Sequence, residues 1–222
     1  MILTTLLLAS CIPPSTYGLR FDGSMAENSE IAAVGGYYPD LSASGDSTLD
    51  ASILGIQGRQ RIGNDVTASL SVGAAPGSGN SAPYLGGELE VQGRVVNDKP
   101  VTIGLTGGLS VIGNPDAESL GLISGFSVGT VVSRGLPADL RPFIAAKLNP
   151  VFGGATLYPW VTTGGGLTWR PVIAQGTRGL LGLEAFYMHG FNADLSAKQA
   201  ADISTWGGMI QVGASFGNER LR

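Results

Sequence analysis

Few residues of this sequence could support nucleophilic, acid–base or metal chemistry. It contains one histidine, His189, and one cysteine, Cys11. A single histidine excludes paired histidines and multi-histidine metal sites, and a single cysteine excludes an internal disulfide. No P-loop and no zinc-ligand spacing is present either. The sequence therefore predicts a protein without a metal, another cofactor or a catalytic centre.

The one alternative to that prediction is a site around His189, in the segment FYMHGFNADLS. Asp194 or Glu184 could orient the histidine, and Ser196 could be the nucleophile that it activates. The segment resembles the rim of small outer-membrane barrels that act as lipid-modifying hydrolases. In that family the serine follows the histidine by two residues, and here that position is Phe191. The preferred interpretation is an interfacial histidine without a catalytic role, and a rim enzyme remains the alternative.

Composition narrows the class of protein. Charged residues make up 14% of the chain, against about 25% in soluble domains. The net charge of −4 argues against nucleic-acid binding, which requires a basic face. No segment approaches the roughly 18 consecutive apolar residues of a membrane-spanning helix. A chain of this kind that crosses a membrane must do so as a closed barrel, because lipid satisfies no backbone hydrogen bonds.

Apolar and polar residues alternate along most of the chain with a period of two, which is typical of β-strands with one apolar face. In DVTASLSVGA, every second residue from Val66 to Val72 is apolar. The segment 48–62 breaks this phase between Ile53 and Leu54, which predicts a β-bulge there, and the first segment, IAAVGGYY, has no clear phase. The ten predicted strands are 30–38, 48–62, 66–75, 84–96, 101–112, 119–133, 140–149, 156–170, 177–190 and 203–216.

The polar face of these strands is rich in Gly, Thr and Ser and contains charges of both signs. A soluble sandwich or lipocalin-like barrel would show that face to water and would carry more Lys, Glu and Asp on it. The composition therefore favours a polar interior, in which opposite charges pair because unpaired buried charge is costly. The charges predicted to point inward are Asp50, Arg59, Arg61, Glu88, Glu90, Arg94, Arg141, Lys147, Arg170 and Glu184.

The connections alternate in length, with short turns after the even-numbered strands and longer loops mostly after the odd ones. Aromatic residues cluster near the strand ends, as expected for rings at two membrane interfaces. This pattern resembles the OmpA/OmpX-type small outer-membrane barrels, whose short turns are periplasmic. The resemblance implies an all-β, closed, antiparallel, up-and-down transmembrane barrel of about ten strands, with eight as the alternative. The aromatic residues are Tyr37, Tyr38, Tyr84, Trp160, Tyr187, Phe191 and Trp206 near the long loops, and Trp169 and Phe216 near the short turns.

The N-terminus predicts secretion. A short apolar run leads to Leu8-Ala9-Ser10-Cys11, which resembles the lipobox of bacterial lipoproteins, in which the signal is cut on the N-terminal side of a cysteine that carries lipid. The interpretation is a signal peptide over 1–10, a lipidated tether over 11–29, a barrel over 30–216 and a tail over 217–222. The alternative is an ordinary signal peptide.

The sequence thus predicts an outer-membrane barrel lipoprotein with both termini in the periplasm. The leading function is a non-enzymatic anchor or a subunit of an envelope assembly, with membrane lipid and other envelope proteins as partners. Three alternatives stay open: a narrow channel for ions or small solutes, a lipid-modifying enzyme at the rim, and a soluble, lipid-anchored binding barrel. The first of these would use the inward charges as the lining of a conduit.

Overall fold

The computed structural model describes residues 28–42, 48–75, 83–98, 100–113, 123–153, 156–190 and 203–217. Cys11, the predicted signal peptide, residues 11–27 of the predicted tether and 218–222 of the predicted tail lie outside these residues, as do Phe191, Asp194 and Ser196. The strands are β1 (Ser29–Ser42), β2 (Thr48–Arg61), β3 (Val66–Ala75), β4 (Tyr84–Asp98), β5 (Val101–Gly113), β6 (Ile123–Arg134), β7 (Leu140–Gly153), β8 (Thr156–Trp169), β9 (Val172–Ala174), β10 (Thr177–Gly190) and β11 (Ile203–Phe216).

The sheet closes on itself as a ten-stranded antiparallel barrel. Each long strand pairs with its neighbour in sequence, and β9 is a short addition that pairs only with the start of β10. The barrel closes between the first and last strands, where pairing is continuous from Ser29 with Phe216 to Tyr37 with Gly208. Closure leaves no open sheet edge, because every long strand has two hydrogen-bonded neighbours. The predicted fold class and strand count are confirmed.

The two faces of each strand differ in burial. In β10, Glu184, Phe186 and Met188 point into the barrel and are buried, whereas Leu181 and Leu183 point outward and are exposed. Around the wall, the same alternation places apolar side chains outside and the buried polar side chains, together with some apolar ones, inside. This arrangement is the reverse of a soluble barrel, which buries its apolar face. Among the described residues, no helix has the length and apolarity needed to cross a membrane.

The bulge predicted between Ile53 and Leu54 is absent. The β1–β2 register runs without a shift from Ser29 to Tyr38, and it pairs Ile53 with Gly36 and Leu54 with Gly35. The phase is unbroken because Ile53 is an inward, buried apolar residue rather than an outward one. The interior is therefore not polar throughout. The prediction of a bulge was wrong because it assumed that every apolar side chain of β2 faces outward.

Inward glycines let aromatic rings lie flat against the barrel wall. A Cβ added at Gly164 would lie 2.7 Å from the Phe186 Cα on the neighbouring strand, and one added at Gly207 would lie 2.6 Å from the Phe186 ring. A Cβ at Gly190 would lie 2.8 Å from the ring of Trp160. These contacts are too close for any side chain. The glycine-rich sequence thus provides the space that the buried rings fill.

Gly164→Ala is therefore expected to lower the free energy of unfolding by about 1–3 kcal/mol, because the added methyl overpacks a backbone contact. Gly58→Ala is the matched control, since a Cβ there meets nothing within 4 Å. The measurement is the urea midpoint of the folded, fast-migrating band on unheated gels. Equal midpoints for the two variants would show that the wall around Gly164 relaxes without cost.

Candidate functional site in the barrel lumen

One arginine-rich cluster lies inside the barrel near the short turns. Arg59 Nη1 donates to Glu30 Oε1 at 2.8 Å, and Arg170 Nη2 donates to Glu30 Oε2 at 3.3 Å. Arg59 also donates to Gln92 Oε1 at 3.1 Å. Glu30 and Arg59 are direct cross-strand partners in β1 and β2, whereas Arg170 follows β8 and reaches across the lumen. Two guanidinium groups therefore share one carboxylate, so cations outnumber anions among the described members of this cluster.

A second charged cluster lies further along the lumen. Lys147 Nζ donates to Glu90 Oε2 at 2.9 Å and lies 3.5 Å from Glu88 Oε1. The hydroxyl of Ser127 donates to the same Glu88 oxygen at 3.5 Å. Glu88 and Glu90 share a face because side chains two apart in a strand point the same way. Here one ammonium group pairs with two carboxylates, and all three side chains are buried.

The remaining predicted residues are divided between the lumen and its short-turn mouth. Glu184 is inward and buried. Arg141 lies at the mouth, where its Nη1 reaches the hydroxyls of Thr102 and Ser133 at 3.5 and 3.4 Å. Arg94 pairs with the exposed Asp65 of the β2–β3 turn.

Arg61 does not belong to the luminal set. Its side chain is exposed and donates to two turn carbonyls, Gly63 O at 3.0 Å and Asn64 O at 2.8 Å. Arg61 is the last residue of β2, where the chain turns away from the wall, so strand alternation no longer determines the direction of its side chain. Asp50 has a described backbone position in β2, but its side chain lies outside the described part of the structure.

Sequence reasoning missed one buried carboxylate. Glu30 was not assigned because the first strand showed no phase, yet it is the carboxylate on which Arg59 and Arg170 converge. Alternation does place Gln57 and Gln211 on the polar faces of their strands. Both lie inside, where Gln211 Nε2 donates to Gln57 Oε1 at 3.1 Å.

An apolar core fills part of the lumen, and several of its bulkiest side chains lie toward the long loops. Tyr38, Trp160, Phe186 and Met188 belong to this core with Met209, and the rings of Tyr38 and Phe186 are 5.3 Å apart. This finding corrects the expected aromatic girdle, because Tyr38 and Trp160 fill the interior and Tyr84 packs against the same core. The other members of this apolar core are Val34, Ile53, Ala75, Val131, Phe143, Ala145 and Val151.

The rings that do face outward form bands at the two ends of the barrel. Tyr37 and Trp206 are exposed near the long loops, and the ring of Tyr187 lies 4.9 Å from that of Trp206. Trp169 and Phe216 are exposed near the short turns. These two bands flank the apolar outer wall.

His189 belongs to the outer band. It lies one residue out of phase with the buried Met188 and stacks on Tyr187 with ring centroids 6.4 Å apart. Glu184 is on the opposite, inward face of the same strand, so it cannot orient His189 as a general base requires. The structure therefore separates the two described members of the proposed rim site.

The sequence pattern G-x-S-x-G occurs at 125–129 and 213–217, but the serines in it are not exposed nucleophiles. Ser127 and Ser215 are buried inside the barrel, within β6 and β11. A nucleophile elbow instead requires a sharp strand-to-helix turn that exposes the serine. Among the residues described, no group of three or more His, Cys, Asp and Glu residues could hold a metal ion.

The fold is thus that of outer-membrane β-barrels: ten antiparallel strands, an apolar outer wall between two aromatic bands, and a lumen of paired charges beneath an apolar core. No protein-family model matches the sequence. No characterised protein matches it by sequence either.

Solved structures of similar shape are bacterial outer-membrane barrels. The β-domain of the Bordetella autotransporter BrkA has 12% identity and a TM-score of 0.47, and the match covers 86% of this chain and 99% of that one. The outer-membrane protease OmpT of Escherichia coli has 8% identity, a TM-score of 0.40 and coverage of 87% and 98%. Neisserial surface protein A has 13% identity, a TM-score of 0.36 and coverage of 85% and 99%. Identities this low leave the function to be argued from the side chains of the barrel.

Proposed function

We propose that this protein is a non-enzymatic, integral barrel of the bacterial outer membrane that acts as an anchor or as a subunit of an envelope assembly. The observation that supports it best is the filled lumen. Charged residues such as Arg59, Glu90 and Lys147 are buried in mutual ion pairs, and Trp160 and Met188 are buried above them. A lumen filled by its own side chains leaves the outer surface and loops as the parts that meet partners.

The outer wall supports residence in a membrane. Leu54, Leu109, Ile144 and Leu183 are more than half exposed, and they belong to a continuous apolar belt around the barrel. Soluble proteins rarely expose contiguous apolar patches larger than a few hundred Å². Lipid is the partner that covers such a belt without a second protein. Further members of the belt are Ile31, Ile56, Leu70, Leu89, Leu105, Val128, Ile210 and Val212.

The position of the strand ends supports a periplasmic location for both ends of the barrel. Ser29 and Phe216 pair directly at the short-turn rim, and short turns are periplasmic in bacterial barrels. Ser29 and Phe216 would therefore both lie on the periplasmic side. A lipid on Cys11 would enter the inner leaflet beside β1, which agrees with the signal-peptide interpretation.

The proposal is tested with the Cys11→Ala protein, expressed behind a standard cleavable signal. We expect it to fractionate with the outer membrane and to change gel mobility on boiling, because the apolar belt holds it there without lipid. We also expect purified protein in planar bilayers to show no single-channel conductance, because the lumen is filled. A porin reconstituted in parallel is the positive control.

The alternatives give different results in the same experiment. Release into the periplasm would point to a soluble, lipid-anchored barrel. Steady conductance that Glu88→Ala alters would point to a narrow channel. Loss of a lipid modification in a His189→Ala strain would point to a rim enzyme, and each of these results contradicts the proposal.

A further inference from the structure

Among the side chains that the structure describes, the short-turn mouth of the barrel has more arginines than carboxylates. Its arginines lie at the ends of β2, β4, β7, β8 and β10, where the inward faces of the strands reach the rim. Three carboxylates of the described residues engage four of them: Glu30 binds Arg59 and Arg170, Asp65 binds Arg94, and Asp139 lies 3.0 Å from Arg178. Arg61 and Arg141 add two further positive charges to this end.

Arg141 differs from the arginines that bind carboxylates. It is the second residue of β7 and has the inward phase of the buried Phe143 and Lys147. Its Nη1 has long contacts to two hydroxyls, Thr102 Oγ1 at 3.5 Å and Ser133 Oγ at 3.4 Å. Within the described ranges of the chain, no carboxylate lies within ion-pair distance of its guanidinium.

This set of groups matches the chemistry of an oxyanion. A guanidinium presents five N–H donors in a planar fork that fits phosphate and carboxylate oxygens. Thr102 and Ser133 are both buried, and each hydroxyl can turn its hydrogen toward an anion. The contacts of the two hydroxyls with Arg141 are long, so a bound anion would replace them with shorter hydrogen bonds. The described arginines nearby also favour an anion at this mouth.

We propose that Arg141, Thr102 and Ser133 form a binding site for a phosphate-type oxyanion at the short-turn mouth of the lumen. The site is independent of the proposed anchoring function. The phosphate could be free in solution or belong to a lipid headgroup. The inward phase of Arg141 favours the free anion, because headgroups surround the barrel from outside.

The test is calorimetric titration of the full-length protein, in alkyl maltoside micelles that contain no phosphate, with inorganic phosphate at constant ionic strength. Saturable binding is expected for the native protein. Arg141→Gln should raise the Kd for phosphate at least ~10-fold, because a charge-assisted hydrogen bond to a guanidinium is lost. Arg141→Lys should recover only part of the affinity, since it keeps the charge and loses the fork.

Arg134→Gln is the matched control. Arg134 ends the neighbouring strand β6 at the same rim, but it is exposed and faces outward. Its loss should change the Kd less than twofold. Ser133→Ala, which keeps every charge, should weaken binding by a few-fold through loss of one hydrogen bond. The heat-modifiable gel shift confirms that each variant is folded.

Nanodiscs distinguish the two sources of phosphate. If the free anion is the ligand, titration in discs of phosphatidylglycerol gives the same Kd as in micelles. If the site holds a headgroup, the lipid competes and the apparent Kd for inorganic phosphate rises in those discs but not in micelles. Absence of saturable binding in micelles, or equal losses in Arg141→Gln and Arg134→Gln, would overturn the proposal.

Discussion

Replacing Glu30 by glutamine is expected to lower the free energy of unfolding by about 3–5 kcal/mol, the usual cost of breaking a buried ion pair from one side. The glutamine keeps the shape but removes the carboxylate that Arg59 and Arg170 share. The Glu30 and Arg59 side chains are only 1% and 3% exposed, so water cannot compensate for the loss. Urea titration of the protein in detergent micelles measures the change.

Asp65→Asn is the control for this result. It also removes a carboxylate from an arginine, Arg94, but the Asp65 side chain is 53% exposed. Exposed pairs contribute about 0–1 kcal/mol, so the midpoint should barely move. In Glu30→Gln/Arg59→Gln, part of the lost stability should return because one unpaired charge is removed. If Glu30→Gln behaves like Asp65→Asn, the luminal cluster is hydrated and does not stabilise the barrel.

Lys147→Met is the second variant with a large expected effect, also about 3–5 kcal/mol. It leaves the carboxylates of Glu88 and Glu90 on one strand face with no cation to share. Adding Glu88→Gln and Glu90→Gln to the same protein should restore most of the loss, because the site is then neutral. Together with the native protein and Glu88→Gln/Glu90→Gln, these two variants form a double-mutant cycle. The cycle measures the coupling between Lys147 and the two carboxylates.

The carboxylate changes alone test the same ion-pair cluster from the other side. Glu88→Gln/Glu90→Gln without the lysine change should also destabilise, since Lys147 would then lose both of these carboxylates. Strictly additive effects of the three substitutions in the urea midpoints would contradict a shared ion-pair cluster. They would indicate three independent, solvated side chains.

Strand positions and the identity of the inner face were predictable because side-chain alternation is a local property. The period of two around Val66 and Val72 needs no knowledge of neighbouring strands, and the luminal positions of Arg59, Glu88, Glu90 and Lys147 depend on that same period. The bulge at Ile53 was wrong for an equally local reason. The pattern assumed that apolar means outward, and Ile53 is apolar and inward.

Contacts across the lumen, and the faces of residues at the strand ends, could not be predicted from the sequence. Arg170 and Glu30 are far apart in sequence, and they meet only because the barrel closes and Arg170 reaches across it. Trp160 and Trp206 have the same chemistry near the same rim, yet one is buried and the other exposed. Their faces depend on strand phase at glycine-rich ends, where few side chains define the phase.

The seam between β1 and β11 has a consequence for how the chain could be rearranged. Because Ser29 and Phe216 are adjacent, a short linker could join them, and the chain could be opened instead in one of the long loops. Such a circular permutant would contain the same strands in the same order around the barrel. Its new ends would emerge on the opposite face of the membrane, so a reporter fused there would read out the other compartment. A pair of native and permuted fusions would therefore determine sidedness without any change to the wall of the barrel.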